Sequence, residues 1–256
     1  MNTFKELVIE AAYVAGEAIL EVYNSNDFNV ELKGDSSPLT LADKKSHQAI
    51  VAKLNTTPYP ILSEEGRAIP YEERKNWETF WMIDPLDGTK EFIKRNGEFT
   101  VNIALIHNQK PVFGVVYAPV LDKMFVGGIN EGADLLENST TTKLDGTPSI
   151  SSNVRIVASR SHLNKDTEEF INKFQRSEIV SMGSSLKFMV VAEGKADIYP
   201  RFAPTMEWDT AAAHAVLNAI GIQVTNTVSN KELLYNKEDL LNPYFLVNNL
   251  QDNDAV

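Results

Sequence analysis

The sequence contains no cysteine among its 256 residues. That excludes disulfides, thiolate metal sites and a cysteine nucleophile. No apolar run approaches the ~18–20 residues of a membrane-spanning helix, so no transmembrane segment is expected. The opening stretch MNTFKELVIEAA carries acids early and has neither a basic leader nor a continuous apolar segment. It does not read as a secretory signal. Basic residues are in deficit: 24 Lys and Arg against 35 Asp and Glu give a formal net charge of −11. A nucleic-acid-binding face is therefore not expected. Neither a Walker A loop nor a G-x-S-x-G elbow occurs. What is present is a globular composition, 43% apolar and 23% charged, long enough for one large domain or two lobes. A negative protein of this kind can bind an anionic small molecule where cations, or a few placed Lys and Arg, reverse the sign locally.

Periodicity sets the expected elements. Residues 3–23 carry an apolar stripe at helical spacing from Phe4 to Val22, and Thr3 with Glu6 fits a capping box. Residues 29–33 alternate as a short strand, and Leu41 to Leu54 reads as a helix capped by Thr40. Short strands are expected at 61–63 and 80–83, then longer ones at 99–106, 112–117 and 123–127 joined as antiparallel hairpins. The second half alternates strands (154–158, 178–182, 197–199) with helices (164–175, 184–192, 208–220), the last closed by Gly221. That pattern favours an α/β lobe. The polar stretch NSTTTKLDGTPSISS separates the halves, and the boundary is placed between 147 and 148, giving parts 1–147 and 148–256. The tail QDNDAV is expected to fray.

Four segments concentrate acids. They are Glu64-Glu65 in ILSEEG, Asp84 and Asp87 in WMIDPLDGTKEF, Asp209 in EWDTAAAH, and KGDSSPLTLAD with Asp35 and Asp43. ILSEE and WMID place carboxylates just after apolar strands, where a rigid scaffold meets solvent. Carboxylates forced together repel unless a proton or cation intervenes. Magnesium, which prefers hard oxygen ligands and substrate phosphates, is the natural cation. Two acids on a tight turn can serve two ions ~3.5–4 Å apart. The strand is expected to end at Ile83, and Gly88-Thr89 to open a helix whose N–H groups face an anion.

Each piece also has a plainer reading. D-P-x-D-G alone is ordinary turn chemistry. Glu64-Glu65 alone is a solvated pair, Asp209 a helix N-terminal acid, and Asp43 a cap. His47, His107 and His214 read as surface or packed histidines, and His162 as a weak anion contact. Gly183-Ser184-Ser185 reads either as an anion-binding helix start or as a cap. It is the coincidence of the acidic segments in one chain that favours a site.

WMIDPLDGTKEF with EWDTAAAHAVL resembles the two signatures of the inositol monophosphatase superfamily, magnesium-dependent and lithium-sensitive phosphomonoesterases. ILSEEG lies at the place expected before the first signature. KGDSSPLTLAD, KEFIKRNGEFTVNIALI, GVVYAPV, VASRSH and GSSLKFMVVAEGKADIYPR are similar to the bacterial 3'(2'),5'-bisphosphate nucleotidase branch. The likeness runs from about residue 3 to about 222. It implies a layered α/β/α/β/α sandwich, an α+β N-terminal part packed on an α/β C-terminal part with the site between them. It implies hydrolysis of the 3'-phosphate of adenosine 3',5'-bisphosphate (PAP) to AMP, with the sulfated PAPS as a further substrate, in sulfur assimilation. The rival within the superfamily is an inositol or sugar monophosphatase. A binding protein that lost turnover is the rival of another class.

The resemblance also implies roles. Glu64, Asp84 and the Leu86 carbonyl would hold a first magnesium, and Asp84, Asp87 and Asp209 a second, with a weaker third allowed near Glu64. Thr89, supported by Asp43 or by Asp35, would activate the attacking water. Gly88, Thr89 and Leu86 would border the scissile phosphate. His162, Ser184, Lys187 and Arg201 would contact the nucleotide, the last two at its second phosphate, with Asp209 near the leaving group. Lithium and calcium would inhibit. The partner is a small nucleotide; the oligomeric state is left open. A cytoplasmic enzyme is expected, with which the lack of cysteine is compatible, and peripheral association at the inner face of the cell membrane is left open.

Overall fold

The structure, a computed structural model, describes residues 2–25, 31–32, 38–147, 152–158 and 163–250. Two helices open it, α1 (Asn2–Tyr23) and α2 (Leu41–Leu54), with a small antiparallel ladder of β1 (Glu31–Leu32) and β2 (Pro38–Leu39) between them. α1 already contains Thr3. The expected Thr3 cap is therefore corrected, because a capping residue must stand outside the helical backbone. α2 starts where the sequence placed it. Ala42 N–H donates to Thr40 Oγ1 at 3.1 Å, and Thr40 N–H donates to Asp43 Oδ2 at 2.7 Å.

Next come β3 (Ile61–Ser63), α3 (Tyr71–Arg74), β4 (Thr79–Asp87), α4 (Thr89–Ile93), β5 (Thr100–His107), β6 (Lys110–Ala118), β7 (Lys123–Gly128), β8 (Gly132–Glu137) and β9 (Thr140–Leu144). The seven strands form one sheet in chain order, parallel at β3–β4 and antiparallel elsewhere. The last two were not expected. β9 is almost wholly exposed, so TTTKL offered no apolar alternation to read.

The remaining elements are β10 (Val154–Val157), α5 (Lys165–Ile171), β11 (Ser177–Val180), α6 (Leu186–Ala192), β12 (Ile198–Arg201), α7 (Ala211–Asn218), β13 (Val224–Asn226) and β14 (Phe245–Asn248). They build a second sheet in the order β11-β10-β12-β14-β13. β10 is parallel to β11 and β12, and β14 is antiparallel to both its neighbours. α5 and α7 are shorter than the 164–175 and 208–220 read from the sequence. Gly221 does end α7: with φ 82° it lets Ile222 N–H reach Leu217 O at 3.0 Å and its own N–H reach Asn218 O at 3.1 Å.

Alternation along the first sheet sorts its side chains into two cores. Trp81, Ile83, Val101, Ile103 and Val115 face α1 and α2. Phe80, Met82, Ala104, Ile106 and Val116 face the other way, into one cluster with α6, α7 and the second sheet. α6 and α7 pack together, and α5 and α6 both pack on β12. The steps from β10 to β11 and from β11 to β12 run in opposite directions along the sheet, so the right-handed sense that such crossovers take puts α5 and α6 on its opposite faces. The layers therefore run α/β/α/β/α. The first sheet ends at Leu144 and the second begins at Val154.

The alanine run of α7 lies close on the first sheet. A Cβ on Gly114 would meet Ala212 O at 2.3 Å, and one on Gly127 would meet Val216 Cα at 2.7 Å. Small residues on both sides thus fix α7, and with it the loop that precedes it. Among the described residues no helix is long and apolar enough to cross a membrane.

Candidate active site

Asp84 and Asp87 lie inside β4, which does not end at Ile83 as the sequence suggested. In a regular strand, residues three apart point to opposite faces. Here Asp84 pairs with Asn102 and Asp87 with Thr100, so three steps on β4 match two on β5. The extra residue is a bulge, placed where Pro85 has no N–H for the ladder. It turns both carboxylates toward one face. The sequence misread came from taking proline as a stop.

Glu64 follows β3, and its N–H donates to Ile83 O at 3.2 Å, which sets it beside the bulge. Asp209 stands just before α7, whose N-cap is Thr210. It does not cap the helix; its Oδ2 instead accepts from Met206 N–H at 2.9 Å. Glu64, Asp84 and Asp209 each bring a carboxylate oxygen within 4.8 Å of the others. Burial and the charges of Glu64, Asp87 and Asp209 push the Asp84 carboxyl well above the usual carboxylate range. Burial, with Asp87 and Glu64, pushes Asp209 up to about 8. Among the described residues no Lys or Arg forms an ion pair with Asp84, Asp87 or Asp209. Hard oxygen donors crowded together and mutually repelling, with Asp84 buried among them, form a donor set that fits a divalent cation.

Beside the acids, Gly88 turns the chain into α4 with φ 93°. A Cβ there would crowd Ser184 Cβ at 3.2 Å and Glu98 O at 3.3 Å, which reserves the position for glycine. Thr89 opens α4, and its hydroxyl faces Asp43 Oδ1 at 3.2 Å and Leu86 O at 3.4 Å. Asp43 is thus more than a cap: Oδ2 holds the start of α2 while Oδ1 reaches Thr89. Asp35 and His162, the other expected contributors, lie outside the described residues.

Ser184, with φ 51°, donates to Asp87 Oδ2 at 2.7 Å and stands 2.6 Å from Thr100 Oγ1. Its hydroxyl is thus committed to the acids' side of the site. The cleft continues past Ser184 to Lys187, Tyr199, Arg201 and Thr205. Lys187 Nζ donates to Ser184 O at 3.3 Å, and Arg201 Nη2 to Pro204 O at 3.0 Å. Arg201 Nε and Thr205 Oγ1 are buried with no hydrogen-bond partner. Buried unmet polar groups on a cleft wall are what an anionic, hydroxyl-bearing ligand would satisfy. The structure thus brings together Asp43, Glu64, Asp84, Leu86, Asp87, Gly88, Thr89, Ser184, Lys187, Arg201 and Asp209. Sequence reasoning missed Thr205, Asn102 and Thr100, which carry no local motif.

A family model described as the inositol monophosphatase family matches residues 1–255. The 3'(2'),5'-bisphosphate nucleotidase CysQ of Escherichia coli (strain K12) is 46% identical over 248 residues, 94% of this chain and 97% of its own. The crystal structure of CysQ from Bacteroides thetaiotaomicron superposes with a TM-score of 0.87 at 47% identity, over 98% of each chain. A more distant structure, an IMPase/NADP phosphatase complexed with Mg2+ and phosphate, shares the fold with a TM-score of 0.75 at 21% identity, over 91% of this chain and 85% of its own. On the match along nearly its whole length, this chain belongs to the inositol monophosphatase family, in the branch of the bacterial CysQ proteins.

Proposed function

We propose that this chain is a 3'(2'),5'-bisphosphate nucleotidase that hydrolyses the 3'-phosphate of PAP to give AMP and phosphate. PAPS is a second substrate, and the role is clearance of PAP during sulfur assimilation. The observation that carries the reading is the trio Glu64, Asp84 and Asp209, with carboxylate oxygens within 4.8 Å of one another, beside the Thr89–Asp43 pair. The likeness to the E. coli nucleotidase, 46% over 94% of the chain, supports the substrate.

Glu64, Asp84 and the Leu86 carbonyl would hold one magnesium ion, and Asp84, Asp87 and Asp209 a second. Bound there, the ions would supply Lewis-acid activation of a water and neutralise charge on the leaving oxygen. The Thr89 hydroxyl donates to Asp43, so its lone pairs are left to accept from the attacking water and orient it. The water oxygen bonds to phosphorus, the bond from phosphorus to the ribose 3'-oxygen breaks, and that oxygen leaves with a proton. The N–H groups of Gly88 and Thr89 border the transferred phosphate. Lys187 and Arg201 take the 5'-phosphate, Arg201 through a fork suited to it.

The test is phosphate release with magnesium from PAP, inositol 1-phosphate and fructose 1,6-bisphosphate at equal concentration. Preference for PAP with AMP as product is expected. Preference for inositol 1-phosphate would move the substrate to the sister branch, and release from none would overturn the enzymatic reading.

A further inference from the structure

Four chain segments meet at one buried hydroxyl. Ser185, 1% exposed, lies where the end of β4, the middle of β5, the start of α6 and the loop before α7 converge. Its Oγ stands 2.7 Å from Asp87 Oδ2 and 2.8 Å from the Asp209 carbonyl oxygen. Asn102 Nδ2 donates to the same oxygen at 2.9 Å. Asn102 is itself set by Thr100, whose hydroxyl donates to Asn102 Oδ1 at 3.1 Å. Asn102 is 1% exposed and Thr100 is fully buried, so no solvent competes for these contacts.

The arrangement has a directional logic. A hydroxyl has one proton and two lone pairs. The asparagine amide occupies the acceptor side of Ser185, which leaves its proton only two places to go, Asp87 Oδ2 or the Asp209 carbonyl. Both belong to residues placed around the second ion. Asp87 is fixed on β4 of the first sheet, whereas Asp209 is carried by the loop before α7. A hydroxyl within hydrogen-bond reach of both, sharing its one proton between them, couples their positions. Groups behind a ligand that fix its orientation commonly change cation affinity by about 10–100-fold when removed.

We infer that Ser185, oriented by Asn102, is a positioning residue that fixes the separation of Asp87 and the Asp209 loop and thereby tunes affinity for the divalent cation between them. This rests on the two-ion reading of the acidic site. Ser184 is the contrasting neighbour: it also donates to Asp87 Oδ2 at 2.7 Å, and among the described residues it makes no hydrogen bond to the Asp209 segment.

The experiment titrates the full-length protein with magnesium by calorimetry, below the melting temperature of every variant, and reads the magnesium half-saturation of PAP hydrolysis alongside. Ser185→Ala is expected to weaken cation binding 10–100-fold and to shift the half-saturation by the same factor, with kcat recovering at saturating magnesium. Ser184→Ala is expected to shift both by less. Should Ser185→Ala fold poorly, Asn102→Ala keeps the hydroxyl but frees it to rotate, and is expected to give an intermediate shift. A purely structural role would lower the melting temperature and leave the affinity of the folded protein unchanged. Binding by Ser185→Ala or Asn102→Ala within twofold of wild type overturns the proposal while leaving the two-ion reading intact. Absence of magnesium binding by the wild type overturns both.

Discussion

The Thr89 hydroxyl lies 3.2 Å from Asp43 Oδ1, joining the first residue of α4 to the first turn of α2. One carboxylate therefore serves the fold with one oxygen and the site with the other. Thr89→Val keeps the shape and deletes the hydroxyl. It should lower kcat about 10²–10⁴-fold, the range for a lost proton-handling group. Asp43→Asn should show a similar loss. The double variant should fall little below either single one, because the two act as a unit. Steady-state kinetics on the four proteins checks this; additive losses would separate Asp43 from Thr89.

The crowding of acids has a consequence for stability. Asp84 is 1% exposed, and its carboxyl is pushed up by burial and by Glu64, Asp87 and Asp209. Asp84→Asn removes a buried charge facing like charges. In EDTA the variant should melt higher than wild type by several degrees, at about 2–4 °C per kcal/mol for a chain of this size class. Magnesium at 100 times its dissociation constant should raise wild-type stability by about 2.7 kcal/mol and the variant by far less. Turnover should be abolished. Thermal scans with and without magnesium decide it; a lower melting point in EDTA together with near-normal activity would sink the account.

Much of this was legible because the acids are announced by local motifs: an apolar strand, then carboxylates, then glycine. The bulge was not legible, since Pro85 reads as a terminator until β5 is seen pairing beyond it. Nor were Asn102 and Thr100, which look like ordinary polar residues in VNIALI until the pairing sets them opposite Asp84 and Asp87. The stretch after Gly221 carries little motif, yet it braces the Asp209 loop. Asn236 and Lys237 donate backbone N–H groups to Glu207 at 2.5 and 3.0 Å, and buried Arg74 reaches Asn236 Oδ1 at 2.9 Å. Such contacts link residues far apart in the chain, and no local spacing encodes them.

A buried histidine behind the site gives a pH dependence. His214 on α7 is fully buried, with Nδ1 2.9 Å from the Tyr235 hydroxyl and Nε2 3.3 Å from Glu232 Oε1. Burial outweighs Glu232 and lowers the pKa of His214 below its ordinary 6.5. The unfolded chain then takes up a proton that the folded one refuses. Stability from this group is complete above about pH 6.5 and declines as pH falls below it, by at most ~1.4 kcal/mol per pH unit. Glu232, lowered chiefly by His214 from 4.5 to about 2, contributes a further loss only below about pH 4.5. Urea unfolding at pH 7.5, 6.5 and 5.5 should show His214→Gln gaining stability relative to wild type as pH falls, whereas the raised carboxyls of Asp84 and Asp209 act in the opposite sense and equally in both proteins. Equal slopes would mean that the histidine titrates alike in both states.

On the proposed reading, the cleft beyond the acids separates a bisphosphate from a monophosphate. Lys187 and Arg201 line the same wall, and Arg201 Nε has no hydrogen-bond partner there. A charged hydrogen bond to a phosphate contributes about 1.5–3 kcal/mol. Lys187→Ala should therefore lower kcat/KM for PAP by roughly 10–150-fold, since each 1.4 kcal/mol is tenfold. Adenosine 3'-monophosphate lacks the 5'-phosphate but presents the same scissile bond, and its kcat/KM should change less than threefold. Arg201→Lys keeps the charge and loses the fork, so it should fall between wild type and Arg201→Ala on PAP. Kinetics with both substrates on each variant measure the selectivity ratio directly. Equal losses on PAP and on the monophosphate would place Lys187 at the scissile phosphate instead, and the second phosphate would then need another cation.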